Sequence, residues 1–343
     1  MSDDGPVVLD ETVALWAARL VAPARNTDAA EVARLRASVT ADLPGIDAAA
    51  RAWSQLGQDL PPTECRVIGR IGWVRTNLTA LRGAFTPLGE KMRGNRAVAS
   101  RVLGAQFGAL LGLLSTKVLG QFVLPFGGPG GGQLVLVGPN LLELGDEHGD
   151  LAPDIWRTVL LHEVTHRLQF DGTDWLGAHL RDLLDRYLSN ARIDPAALLE
   201  AAGKLPQAIA AVRETGSIIP LVETVLTDEQ LAVVDEAQGL MSLLEGHGNA
   251  AMFAGAEGVI ERPDDVREAL ESRRSDATTR ILTAVAGLEL KRRQYREGET
   301  FVRTVLDERG VPGLNRAFAA PPNLPTAAEV RDPQAWMARV ADA

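Results

Sequence analysis

Two histidines and a glutamate, His162, Glu163 and His166, stand in the order H-E-V-T-H. On a helix, positions i and i+4 are offset by about 40° around the axis, so both imidazoles point the same way. They can then occupy two corners of a tetrahedral zinc site, with Zn–N distances of about 2.0–2.1 Å. Glu163, next to the first histidine, can reach a water on the metal rather than the metal itself. Zinc lowers the pKa of such a water toward about 7. Glu163 can take its proton as general base and later deliver it to a leaving amine. The apolar residues Ile155, Trp156, Val159, Leu160, Val164 and Leu168 surround the motif. They bury the imidazoles, and buried imidazoles need a partner.

Zinc also needs a third protein ligand. The extended metzincin pattern requires glycine at 169 and histidine at 172, where this chain has Gln169 and Gly172, so that class is excluded. The best candidate lies in MSLLEGHGNA. Glu245 and His247 are two residues apart, about 200° around a helix, and cannot both serve. Glu245 with Asn249 one turn later has the pattern of a carboxylate ligand followed by a group that supports a zinc-binding histidine. His247 is the alternative. His179, on the next helix after the motif, is a further one. Gly246 and Gly248 each cost about 1 kcal/mol relative to alanine in mid-helix, so something must compensate. Glu163-x-x-His166 is also the pair used in di-iron bundles, but no second E-x-x-H occurs in the chain.

The elements that must hold these residues are overwhelmingly helical. Apolar spacing predicts helices over 11–24, about 28–57, 63–82 and 97–120. PFGGPGGG then marks a turn, and QLVLV after it is the best strand in the chain. Gly127 to Gly132 lack the G-K-[ST] or G-x-G-x-x-G pattern of a phosphate loop. The strand Leu134 to Val137 could align an extended peptide by backbone hydrogen bonds, or form an ordinary small sheet. The motif helix runs from about Asp154 to Phe170, and Thr173 or Asp174 caps the next one, which ends near Asn190. Asp194-Pro195 opens a short helix. Thr227 with Gln230 makes a capping box for a long helix that reaches about Ala254. Further helices cover about 264–296 and 299–309. A Pro-rich connection then leads to a last helix near Trp336. The fold class is mainly α (α+β), with one small β element before the H-E-x-x-H helix. Residues 1–125 are expected to form an N-terminal helical region packed on a catalytic region 126–343, as one compact unit.

Composition bounds the function. The 343 residues are 46% hydrophobic, 23% charged and 5% aromatic, as in a globular chain with a sizeable core. With 45 acidic against 35 basic residues and a net charge of -10, nucleic acid is not an expected partner. The single cysteine, Cys65, excludes an intramolecular disulfide framework and a Cys-based zinc ribbon. The N-terminus has no charged segment leading into an apolar run, so a cytoplasmic location is expected. Residues 102–116 are apolar but shorter than the roughly 20 needed to cross a bilayer. Gly104, Gly108 and Gly112 make a smooth stripe there. That suits close approach of another helix, and no membrane partner is expected.

Taken in order, WVRTNL, LLGLLSTKVLGQF, Pro139-Asn140, LLHEVTHRLQF, MSLLEGH and KRRQYREGETFVRTVL resemble the zincin-like metallopeptidase type 2 family. These are actinobacterial hydrolases loosely associated with deazaflavin-coenzyme biosynthesis. The resemblance covers most of the chain after about residue 65. It implies a mostly helical, zincin-like fold with His162, His166 and Glu245 as zinc ligands and Glu163 as base. One departure is Asn249, where the family pattern has an acidic residue. An amide can hydrogen-bond an imidazole but supplies no negative charge.

The resulting expectation is a zinc-dependent hydrolase, a metallopeptidase acting on a peptide or protein substrate. An oxyanion stabiliser would complete it, with Tyr295 as first candidate and Tyr187 as second. The competing reading is a catalytically silent, metal-stabilised helical scaffold or binding protein. A hydrolase of non-peptide amides would use the same water and base.

Overall fold

The computed structural model describes residues 8–23, 25, 27–85, 96–126, 131–190, 227–273 and 289–340, with side chains of the last segment from 297 onward. Its helices are α1 (Glu11–Val21), α2 (Ala29–Ser54), α3 (Arg70–Leu81), α4 (Arg96–Ser115), α5 (Gly138–His148), α6 (Ala152–Asp171), α7 (Leu176–Ser189), α8 (Asp228–Ala254), α9 (Pro263–Arg273), α10 (Glu289–Ala319), α11 (Ala327–Arg331) and α12 (Pro333–Val340). Three short strands, β1 (Cys65–Ile68), β2 (Gly120–Val123) and β3 (Gln133–Val137), form one sheet in the order β1-β3-β2. The molecule is therefore mainly α with a small β element just before the motif helix.

Local chemistry explains several boundaries. Asp10 accepts from the Val13 N–H at the start of α1, and Asp28 from Ala30 at the start of α2. The capping box of α8 forms as its sequence requires. The Gln230 N–H donates to Thr227 Oγ1 at 3.2 Å, and the Thr227 N–H donates to Gln230 Oε1 at 3.1 Å. α10 runs past the boundaries expected for a 299–309 helix and bends at Gly310, whose φ is 63°. Of the helix expected over 264–296, α9 covers the part up to Arg273 and α10 the part from Glu289; residues 274–288 lie outside the described residues, as does the helix expected after Asp194.

Other differences come from long-range pairing. The region 63–82, whose apolar spacing suggests one helix, divides at Gly69 into β1 and α3. Cys65–Ile68 pair in parallel with Leu134–Val137, and Gly120–Val123 pair antiparallel with the other edge of β3. Five residues of the expected 97–120 helix thus leave it after Ser115 for a turn and the start of β2. α5, absent from the sequence reading, starts at Gly138 with Pro139 in its first turn, where a missing N–H costs nothing. α7 begins after Trp175 with no side-chain cap, so neither Thr173 nor Asp174 serves.

α6 is the hub. It packs against α2, α5, α8, α9 and the sheet, and Ile155, Leu160, Leu161, Val164 and Leu168 on it are fully buried. One apolar cluster joins α6 to α2, α5, α9 and one face of the sheet. A second joins α7, α8, α10 and α12 around Phe301 and Trp336. A third lies between the other sheet face and α1, α3 and α4. In the last, Gly104, Gly108 and Gly112 of α4 lie so close to the backbone of α1 that a Cβ would strike it. The stripe therefore serves helix packing within the chain. Among the described residues α4 is the one helix long and apolar enough to cross a membrane.

Candidate metal centre

α6 carries His162, Glu163 and His166, and α8 crosses it with Glu245. His162 Nε2 lies 3.0 Å from His166 Nε2 and 3.6 Å from Glu245 Oε2. One ligand atom from each of the three lies within 4.8 Å of the other two. Tetrahedral ligands at about 2.1 Å from zinc stand about 3.4 Å apart, a value these two distances bracket. Two nitrogens and a carboxylate oxygen are also a donor set that suits a borderline-soft divalent ion.

The backbone between α6 and α8 is shaped to allow this. A Cβ on Gly248 would lie 2.9 Å from His162 Cε1 and 3.0 Å from its Nδ1. Any larger residue there would push the imidazole away. Gly246 makes a different approach: its Cβ would strike the Gly298 carbonyl of α10, and one on Gly298 would strike the Ser242 carbonyl of α8. The two glycines of LLEGHG thus allow α8 to touch His162 on one face and α10 on another, which offsets their helix cost.

The three candidates for third ligand separate cleanly. Glu245 faces the histidines. His247 is fully buried elsewhere, with its ring 5.0 Å from that of Trp53 and 5.3 Å from that of Phe318. Its Nδ1 accepts from Gln169 Nε2 at 2.9 Å. Burial pushes its pKa down to about 3, with His166 adding to the effect, so the ring is neutral. His179 stands on α7 with Nε2 3.6 Å from Glu236 Oε1, outside the cluster. Asn249 is buried one turn beyond Glu245.

The partner of His166 is a residue the sequence reading used only to exclude a class. Gln169 is fully buried, and its Oε1 lies 2.8 Å from His166 Nδ1. Its position three residues after His166, on the same face of an apolar helix, was the available signal.

Glu163 is 7% exposed, and its Oε2 accepts from the Phe122 N–H at 2.9 Å. Burial raises its pKa from 4.5 to about 7. The neighbouring His166 and the Phe122 N–H oppose that shift, and Glu245 adds to it. Phe122 belongs to β2, one of the two edge strands. In an antiparallel pair alternate residues turn their polar groups outward, so Gly120 shares the orientation of Phe122. A Cβ on Gly120 would lie 2.7 Å from Glu163 Cγ, so the carboxylate fits because the strand has no side chain there. β3 has both edges paired. It cannot add a peptide strand, and the edge beside the site belongs to β2.

A model of the zincin-like metallopeptidase family matches residues 10–337. The chain belongs to that family. The membership implies a metal, typically zinc, and the cluster of this zincin-like protein could hold one. The chain is also similar to a crystal structure described as "a putative hydrolase with a novel fold from Chloroflexus aurantiacus". The TM-score is 0.67 and the identity 26%, and the alignment covers 98% of this chain and 99% of the other. No curated protein matches it.

The oxyanion candidates fare differently. The Tyr187 carbonyl accepts from Gln230 Nε2 near the start of α8. That is fifteen residues, about 22 Å of helix, from Glu245, so the site does not gather Tyr187. Tyr295 lies on α10, but its side chain falls outside the described residues.

Proposed function

We propose that this zincin-like protein is a zinc-dependent hydrolase that cleaves peptide bonds, with His162, His166 and Glu245 holding the metal and Glu163 as general base. The observation that carries the reading is the meeting of those three ligand atoms beside a buried carboxylate on the same helix. When bound, zinc supplies a Lewis acid that polarises a carbonyl and acidifies a water. Glu163 accepts the proton at the oxygen not bonded to Phe122 and returns it to the leaving nitrogen. Its bond to the Phe122 N–H fixes the carboxylate, so little reorganisation is needed. An extended peptide is the favoured substrate class because β2, an edge strand, runs beside Glu163, although its Phe122 N–H is taken by that carboxylate.

Elemental analysis of the untagged protein and Glu245→Ala, combined with a peptide-library screen of wild type and Glu163→Gln, tests the reading. The expected result is one zinc per wild-type chain, little in Glu245→Ala, and zinc without turnover in Glu163→Gln. Turnover that survives Glu163→Gln overturns the mechanism.

A second reading is a metal-stabilised scaffold without turnover. It is favoured by the neutral amide of Gln169 at His166, where a carboxylate would make the ligand more basic. Zinc-dependent stability with no product from any peptide in the screen would select it.

A further inference from the structure

The hydrogen bonds around Gln169 fix a proton position that bears on the metal site. Its side chain is fully buried on α6 and makes three contacts. Nε2 is 3.1 Å from the Leu244 carbonyl oxygen and 2.9 Å from His247 Nδ1, and Oε1 is 2.8 Å from His166 Nδ1. A backbone carbonyl can only accept. The NH2 group must therefore face Leu244, because the flipped amide would set two oxygens against each other. Its second hydrogen goes to His247 Nδ1, which leaves the His247 proton on Nε2.

With the amide orientation fixed, Oε1 must receive a hydrogen from His166. Nδ1 of His166 then carries the proton, and Nε2, 3.0 Å from His162 Nε2, presents its lone pair to the cluster. We propose that Gln169 is a positioning residue that locks His166 into the Nδ1–H tautomer, so that Nε2 is held ready for a divalent metal. The proposal rests on the metal reading above, and it makes α8 a participant twice. Glu245 contributes a ligand from one face, and the Leu244 carbonyl one residue earlier sets the tautomer of another ligand through Gln169. A crossing of two helices thus transmits a proton choice from a backbone carbonyl to a metal-facing nitrogen.

The test is a long-range proton–nitrogen NMR spectrum of metal-free protein labelled with 15N-histidine, recorded at pH 8. His166 is assigned from its loss in His166→Asn, and competition titration with zinc runs alongside. In wild type His166 should show a protonated Nδ1 and a bare Nε2. Gln169→Leu removes the acceptor, so His166 should lose that single tautomer and zinc affinity should fall about 10- to 100-fold. Gln169→Glu keeps an acceptor for His166 and should keep the tautomer, but it sets a second oxygen against the Leu244 carbonyl, so its thermal stability should fall.

A wild-type His166 protonated at Nε2 overturns the proposal without any variant, so it stays falsifiable even if Gln169→Leu fails to fold. An unchanged tautomer in folded Gln169→Leu overturns it too. If wild type binds no zinc while Gln169 still sets the tautomer, the metal reading has failed and not the proton assignment.

Discussion

Gly248 lies against the ring of His162 so closely that a Cβ at position 248 would come within 2.9 Å of Cε1. The contact sets two demands against each other. Helix propensity favours alanine over glycine at an interior position by about 1 kcal/mol, whereas the imidazole tolerates no added methyl.

Gly248→Ala should therefore lower zinc affinity, and thermal stability of the metal-free protein should fall as well, because crowding a packed site costs about 1–3 kcal/mol against a helix gain of about 1 kcal/mol. Displacing one ligand by a few tenths of an ångström should cost about 10-fold or more in Kd. A melt with chelator and a zinc competition titration on the same preparation check both signs. Equal zinc affinity would mean that His162 can shift without leaving the site.

Gly120→Ala probes the base instead of the metal. The new methyl would meet Glu163 Cγ at 2.7 Å and Leu136 Cδ2 at 2.8 Å, pushing the carboxylate off the Phe122 N–H. A misplacement near 1 Å can cost about 100-fold in rate. Zinc stoichiometry should be unchanged and kcat should fall, with KM nearly constant. Loss of zinc would show that Gly120 supports the ligands rather than the base.

The motif was legible because its geometry is local. His162, Glu163 and His166 need only one helix to share a face, and the helical phase that sets Glu245 against His247 is equally local. The compensation for Gly246 and Gly248 could be anticipated but not located, because it depends on α10 and on His162. The β1 segment Cys65–Ile68 was hidden for the same reason. Four residues carry little periodicity, and their partners at Leu134–Val137 lie far along the chain. Gln169 escaped because its meaning comes from Leu244 and His247, on a helix that nothing in the sequence positions over α6.

Cys65 offers a pH-dependent check on the packing of β1. Burial, with the nearby Glu163 charge, pushes its thiol from 9.0 up to about 12. The folded value is the higher one, so the thiol form is favoured in the native state. That contribution is complete below pH 9 and is lost as pH rises toward 12. At pH 8, iodoacetamide should alkylate the folded protein about 1000-fold more slowly than the urea-unfolded chain, because only thiolate reacts. Similar rates would place Cys65 outside the buried sheet.

Two ion pairs of nearly equal length should differ sharply in worth. Arg70 is 8% exposed. Its Nε donates to Asn140 Oδ1 at 2.8 Å, Nη1 to the Pro23 carbonyl at 2.7 Å, and Nη2 to both Glu143 oxygens at 2.6 Å. Arg186 Nη2 meets Glu236 Oε2 at 2.7 Å, but both side chains are 41% exposed. Water competes for the second pair and side-chain entropy opposes it, so Arg186→Ala should cost about 0.5 kcal/mol or less. Arg70→Ala strips the buried Asn140 amide of its donor, while Glu143, 36% exposed, turns to water, a loss of about 1–2 kcal/mol. Urea unfolding of the two variants checks the ranking. Equal midpoints would mean that water replaces the Arg70 contacts, and that the link from α3 to α5 contributes little to holding the sheet beside α6.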